Sequence, residues 1–113
     1  MATIAEFRRT ALGLAETAEG THMGHPDFRV RKKIFASLGV PDKAWGVVKL
    51  TPEQQEVLMG AEPGVFKPAA GTWGRRGWTH VRLAGVDRTT LKSALAMAWR
   101  NTAPKSLAAK HPH

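Results

Sequence analysis

The order of strand-like and helix-like segments constrains the fold of this chain more than any other feature of its sequence. Between Thr21 and Leu50 the pattern is one of short strands joined by tight turns. Phe28 and Val30 alternate with arginines, a period of two that is typical of a half-buried strand. Sequential short strands of this kind predict an antiparallel sheet. We place the following strands at residues 33–38 and 45–50, with a break at residues 39–42.

Helix signals precede, interrupt and follow these strands. The first helix has apolar side chains at helical spacing, after a threonine and a glutamate in capping-box spacing. The second begins with Thr51, Pro52 and Gln54, which form a capping box with proline at the first helical position. The last is capped by Asp87 and ends before a proline. We expect helices at residues 3–14, 51–59 and 87–103, and a further strand at residues 78–83.

These segments define an α+β fold. The predicted order is helix-strand-strand-strand-helix-strand-helix, and it implies an antiparallel sheet with helices packed on one face. A chain of 113 residues makes one domain by size, which we assign to residues 1–105. Residues 106–113 show no periodicity, so we predict a frayed C-terminal tail there.

The charge balance is the most unusual part of the composition. Seventeen Lys and Arg residues against nine Asp and Glu give a net charge of +8. Such an excess attracts polyanions, of which nucleic acid is the commonest, although it also serves solubility. The absence of cysteine excludes disulfides and thiolate metal sites. Because no signal-peptide pattern and no apolar run of membrane length is present, we expect a cytoplasmic protein with no membrane partner.

Several sequence blocks occur in an order that is specific to one family. They lie at residues 19–21, 25–30, 33–36, 48–53, 73–78 and 98–105. Together they resemble the MmcQ/YjbR family over nearly the whole chain. The resemblance implies a compact α+β domain of the kind described as double-wing DNA-binding-like or CyaY-like. It implies no catalytic residue, since the family has no established reaction. One departure is the first hairpin turn, where the family commonly has glycine and this chain has Arg31 and Lys32.

Alternation along the predicted strands assigns two faces to the sheet. The apolar face should pack against the helices and holds Phe28, Val30, Ile34, Ala36, Leu38, Val48, Leu50, Val81 and Leu83. The opposite face holds Lys33, Phe35, Ser37, Trp45, Val47, Lys49, Trp78, His80 and Arg82. Aromatic rings beside cations suit base stacking with phosphate contact, and equally a protein interface. Alternatively, the last helix or the Gly-rich segment at residues 68–77 covers this face, and a register slip of one residue would exchange the two faces.

A short basic segment lies between two tryptophans. Arg75 and Arg76 are flanked by glycines, and beyond these by Trp73 and Trp78. Arginine forms bidentate contacts with phosphate, and the tryptophans can clamp a planar group. The segment is otherwise a structural turn whose tryptophans belong to the core.

No residue pattern for catalysis or metal binding is evident. His22 and His25 have H-x-x-H spacing without an accompanying cysteine or acidic cluster, so we expect structural histidines. No serine lies in a nucleophile-elbow context, and the Gly-rich segment lacks the G-K-[ST] ending of a phosphate loop. We therefore expect no enzyme activity, no metal and no cofactor.

Two functions remain open from the sequence. The first is binding of DNA or RNA through phosphate contacts with weak sequence specificity. The second is a protein-interaction or homodimerisation module that uses the aromatic face. Anion contacts are predicted from Arg29, Arg31, Lys32, Lys33, Lys49, Arg75, Arg76 and Arg82. Stacking or interface contacts are predicted from Phe35, Trp45, Trp73, Trp78 and His80.

Overall fold

A computed structural model describes residues 2–111, which form five helices around a six-stranded antiparallel sheet. The helices are α1 (Ile4–Leu12), α2 (Pro52–Ala61), α3 (Gly71–Arg75), α4 (Arg88–Thr102) and α5 (Lys105–Lys110). The strands are β1 (Thr17–His22), β2 (His25–Val30), β3 (Lys33–Leu38), β4 (Trp45–Lys49), β5 (Phe66–Pro68) and β6 (Trp78–Arg82). Their order across the sheet is β1-β2-β3-β4-β6-β5. The predicted fold class is confirmed, with two edge strands and two short helices added to the predicted elements.

The apolar core lies between one face of the sheet and helices α1 and α4. The ring of Phe7 on α1 packs against Phe28 on β2, with 5.9 Å between ring centroids. Gly46 on β4 makes room for this ring, because a Cβ there would lie 2.6 Å from it. Trp99 on α4 is fully buried, and its indole N–H donates to the Ala15 carbonyl at 2.9 Å. Helices α1 and α4 therefore pack on the same face of the sheet, as the sequence predicts. Among residues 2–111, no helix combines the length and apolar character that crossing a membrane requires.

The prediction of a frayed tail is wrong for the described part of that segment. Residues 105–110 form α5, whose Leu107 and Ala108 side chains are buried against the core. The Arg100 guanidinium donates to the carbonyls of Ala108 at 3.3 Å and His111 at 3.0 Å. These bonds satisfy carbonyls at the end of the helix. A helix of six residues is too short to show a periodic pattern in the sequence. Residues 112 and 113 lie outside the described residues.

A β-bulge in β3 corrects the predicted assignment of faces. Phe28 pairs with Ala36, but the next residue of β2, Arg29, pairs with Ile34, so Phe35 is an extra residue. One extra residue exchanges the predicted faces of the residues that precede it in β3, whereas Ala36, Ser37 and Leu38 keep theirs. Phe35 is therefore fully buried in the core rather than a stacking residue, and Ile34 lies on the opposite face. Lys33 pairs with Val30 and also leaves the predicted face.

The turn between β2 and β3 is occupied by two residues with left-handed backbone conformation. Arg31 has φ 50° and Lys32 has φ 71°, the pattern of a type I′ hairpin turn. A non-glycine residue in this region costs about 1–2 kcal/mol. The charged tip therefore keeps a tight two-residue turn at a cost in backbone strain.

We expect Lys32→Gly to raise the free energy of unfolding by about 1 kcal/mol, because glycine adopts positive φ without a steric penalty. Urea unfolding monitored by tryptophan fluorescence measures the change. The control is Lys33→Gly, which lies in regular strand structure and should lower stability by about 0.5–1 kcal/mol. A loss of stability in both variants would contradict the assigned strain.

Candidate functional site

One row of side chains crosses the whole sheet on the face opposite α1 and α4. The backbone register pairs Gly20 with Asp27, Asp27 with Ser37, and Ser37 with Val47. Val47 pairs in turn with His80 on β6. Paired residues of neighbouring strands point to the same side of a sheet. Four strands therefore contribute a carboxylate, a hydroxyl, an apolar group and an imidazole to one floor.

A pocket of about 460 Å³ lies over this floor. At one end it is bounded by His22 and His25 of the β1–β2 hairpin and by Val40 and Pro41 after β3. At the other end its lining residues are Ile34, Ala69, Ala70, Trp73 and Trp78. The face is therefore neither a flat open sheet nor a covered one. The Gly-rich segment folds into α3 and forms one wall, while the middle of the face stays accessible.

The α3 wall is fixed by a buried side chain of α2. The Gln55 side-chain amide donates toward Gly74 O at 3.1 Å, Thr79 Oγ1 at 3.0 Å and Trp78 O at 3.2 Å. Within the wall, Trp73 meets Trp78 edge to face, with 6.1 Å between centroids and 76° between planes. Trp78 is half-buried, whereas Trp73 remains 60% exposed. The predicted tryptophan pair thus presents one anchored ring and one ring open to solvent.

His80 is, with Asp27, one of two buried ionisable groups of the pocket floor, and 8% of its surface is exposed. Its Nδ1 lies 3.0 Å from the Val40 carbonyl oxygen, which can only accept, so Nδ1 carries the proton. Burial lowers the pKa of His80 below its usual value, and the positive charge of Lys67 adds to the effect. The imidazole is therefore neutral at pH 7, with Nε2 as a hydrogen-bond acceptor. Trp45 packs edge-on against this ring at 6.1 Å.

Two of the predicted anion-binding arginines are held by carboxylates. Arg29 donates to both oxygens of the fully buried Asp27, at 2.8 and 3.0 Å. These bonds raise the pKa of Arg29 and commit its guanidinium to the protein. Arg31 likewise donates to both oxygens of Glu16, which lowers the pKa of that carboxylate. Neither arginine is free for phosphate unless its ion pair opens.

Other predicted cations lie beside the aromatic rings of the open face. The Lys49 ammonium is 5.7 Å from the centroid of the Trp78 ring, within the distance of a cation–π contact. Arg82 is exposed and pairs across the strands with Trp45. Lys67 on β5, which the sequence did not single out, lies 4.6 Å from the centroid of Trp45. The ion pairs of residues 2–111 include none of these three cations.

The remaining predicted cations lie at the margins. Arg75 and Arg76 are exposed at the C-terminal end of α3, next to the tryptophan pair. Lys32 and Lys33 are exposed at the β2–β3 turn. The fold thus gathers Trp45, Trp78, His80, Lys49 and Arg82 on one face, with Trp73, Arg75 and Arg76 at its edge.

Sequence reasoning missed three contributors to the site. Asp27 and Ile34 enter it through the strand register and the bulge, which no local pattern reports. Lys67 belongs to a strand of three residues, too short for visible alternation. Among residues 2–111, no group of three or more histidine or acidic side chains is arranged to hold a metal ion.

The fold and the pocket together define a class of α+β domain with one helix-covered sheet face and one hollowed face. A model of the YjbR family matches residues 12–101. The chain belongs to the YjbR family, which confirms the resemblance seen in its sequence blocks.

The fold is also similar to the crystal structure of the Deinococcus radiodurans protein DR2400, of the DUF419 domain family. The TM-score is 0.79 at 20% sequence identity, and the match covers 97% of this chain and 88% of that chain. At this identity the likeness supports the fold alone. No curated protein gives a significant match to the chain.

Proposed function

We propose that the protein binds single-stranded nucleic acid across the open face of its sheet, through phosphate contacts with weak sequence specificity. The observation that carries this proposal is the pairing of free cations with tryptophan rings. Lys67 lies over Trp45 and Lys49 lies near Trp78, on a face whose cations Lys49, Lys67 and Arg82 have no acidic partner in residues 2–111. Cations that track a backbone beside aromatic rings that stack bases are the common arrangement of single-strand binding sites.

The shape of the face favours a single strand over a duplex. The rings of Trp73, Trp78 and His80 line a concave surface between the β1–β2 hairpin and α3, and Trp45 packs edge-on against His80. A base can reach them only when it is unpaired and unstacked. The exposed arginines of α3 and the lysines of the β2–β3 turn extend the positive charge beyond the pocket. Because these side chains contact phosphates and stack bases without reading base edges, weak specificity is expected.

We expect a fluorescently labelled oligonucleotide to bind with an affinity that falls steeply with salt. For a single strand, the slope of log K against log salt is about −0.7 for each phosphate contacted. The double variant Lys49→Gln, Arg82→Gln should therefore reduce the slope by about 1.4 and weaken binding about tenfold at low salt. Fluorescence anisotropy titrated with salt measures both quantities.

The matched control is Lys92→Gln, Lys105→Gln, which removes the same net charge from exposed positions on the helix side. Equal weakening by both double variants would mean that only the overall charge matters and that the face is no site. The absence of binding at low salt, where attraction is strongest, would end the proposal.

A second candidate is a protein-interaction or homodimerisation surface on the same face. Two large apolar side chains, Trp73 and Met23, are exposed near opposite ends of the pocket. Such residues are favoured at interfaces. Analytical ultracentrifugation separates the candidates, since an apolar self-association would persist at high salt and would be reduced by Trp73→Ala.

A further inference from the structure

The pocket has the size and the lining of a site for a small planar ligand. Its volume of about 460 Å³ falls in the range of ligand-binding clefts. Most of the surrounding surface is apolar, supplied by side chains that include Ile34, Val47 and Trp78. The edge contact between Trp73 and Trp78 leaves the larger part of the Trp73 ring open for stacking. A flat ring can therefore enter along the α3 wall.

Two polar groups on the floor have unused hydrogen-bonding capacity. The Ser37 hydroxyl makes no hydrogen bond within residues 2–111, although it lines the pocket between Asp27 and Val47. The neutral His80 uses Nδ1 for the Val40 carbonyl, and its Nε2 has no partner among the described residues. The floor thus offers one group that both donates and accepts and one group that only accepts.

This combination selects among ligand classes. An alkyl chain would fill the apolar walls but leave the Ser37 hydroxyl and the His80 acceptor without partners, which is costly in a desolvated site. A sugar would satisfy these two groups, but most of its hydroxyls would face apolar walls and lose their hydrogen bonds to water. A planar nitrogen heterocycle has apolar faces and a polar edge, so it matches both. Lys67 pairs across the strands with His80 of the floor, and Arg75 lies in α3, which forms one wall. An anionic group attached to the ring would be stabilised by these two cations.

We infer that the pocket takes one nucleobase, stacked on Trp73 and hydrogen-bonded along its edge to Ser37 and His80. The choice of a base over other heterocycles rests on the proposed function. The base has two sources, an unpaired position of a bound strand or a free nucleoside monophosphate, and the experiment distinguishes them.

The first test compares two oligonucleotides of equal length and charge, one with bases and one in which every residue is abasic. Phosphate contacts alone would bind both equally, whereas base insertion should favour the base-containing strand by about tenfold or more. Trp73→Ala should remove most of this preference. Val57→Ala truncates an exposed apolar side chain on α2, outside the pocket, and should leave the preference for bases unchanged. Ser37→Ala should weaken the preference about threefold or more, without a change in the salt slope.

The second test adds the four nucleoside 5′-monophosphates, with ribose 5-phosphate as a control that lacks the base, to the isotopically labelled protein. The indole N–H signals of Trp73 and Trp78 should shift in NMR spectra with the nucleotides only. The signal of Trp99 serves as an internal reference, since this side chain is buried and bonded to Ala15 O.

Each outcome decides between the two proposals. Equal binding of the base-containing and abasic strands, with no nucleotide shift, overturns the pocket inference and leaves phosphate binding in place. Nucleotide shifts at the pocket tryptophans without binding of any strand support the pocket for free nucleotides and end the proposed function. A preference for bases together with tighter binding of the strand than of any monophosphate supports the strand as the source. No binding of any ligand overturns both.

Discussion

Gly77→Ala is expected to lower the free energy of unfolding by more than about 3 kcal/mol, the largest effect of a single substitution that we predict. Gly77 has φ 107°, a backbone conformation that L side chains rarely adopt. A Cβ at this position would lie 1.9 Å from the Leu50 carbonyl oxygen and 2.8 Å from its carbon. The neighbouring chain cannot withdraw easily, because Leu50 N–H donates to the Gly77 carbonyl at 3.1 Å and α2 begins two residues later. Strain and overlap therefore add.

A second glycine of the same segment separates these two contributions. Gly71 also has positive φ, but a Cβ there would meet nothing within 4 Å. Gly71→Ala should therefore cost only the backbone penalty of about 1–2 kcal/mol. Urea unfolding of both variants gives the comparison. If both variants lost a similar amount of stability, the backbone between β4 and α2 must move away from the new Cβ. The close approach to Leu50 would then add no cost.

Gln55→Leu is expected to lower the free energy of unfolding by about 2 kcal/mol, the second largest predicted effect. The substitution keeps a similar volume but removes the amide that bridges α2, α3 and β6. The Thr79 hydroxyl donates to the Gly77 carbonyl at 2.8 Å, and its oxygen would lose the hydrogen bond that it accepts from Gln55. Loss of hydrogen bonds in a buried setting accounts for a penalty of this size.

Glu56→Ala is the control for Gln55→Leu, since Glu56 lies next in α2 and is exposed. It should change stability by no more than about 0.5 kcal/mol. Gln55→Leu should also loosen the α3 wall and weaken the preference for base-containing strands. If Gln55→Leu were as stable as the control, the amide bridge between α2, α3 and β6 would contribute nothing to the free energy of unfolding.

Local signals account for the parts of the fold that were predicted correctly. Thr51 and Gln54 form the complete capping box that their spacing indicates, and Asp87 accepts from the Thr90 N–H at 2.7 Å. The β3 bounds agree with the predicted strand, because the turn residues on either side of it are a local signal, although the bulge interrupts its alternation. The same reasoning found no signal in β1, which lacks apolar alternation, or in β5, which has only three residues.

The candidate site depended on non-local contacts to a much greater extent. The bulge at Phe35 arises from the pairing of β2 with β3, and it alone moves one aromatic ring from the open face into the core. Ion pairing gave a similar correction, since Arg31 pairs with Glu16, fifteen positions away. The pair of Arg29 with Asp27 is local, because the two residues are neighbours on one face of β2. Lys67, by contrast, joined the aromatic face only because β5 pairs with β6.

The amino-acid sequence alone specified the family through the order of its sequence blocks. It also specified the α+β class, the helix caps and most strands, because these follow from interactions between residues close along the chain. Only the tertiary structure decided which rings and cations remain accessible and that they surround a pocket. That outcome depends on register, on a single inserted residue in β3 and on the partners of each charge. These are set when distant segments pack together, and one residue of register is enough to exchange the faces of a strand.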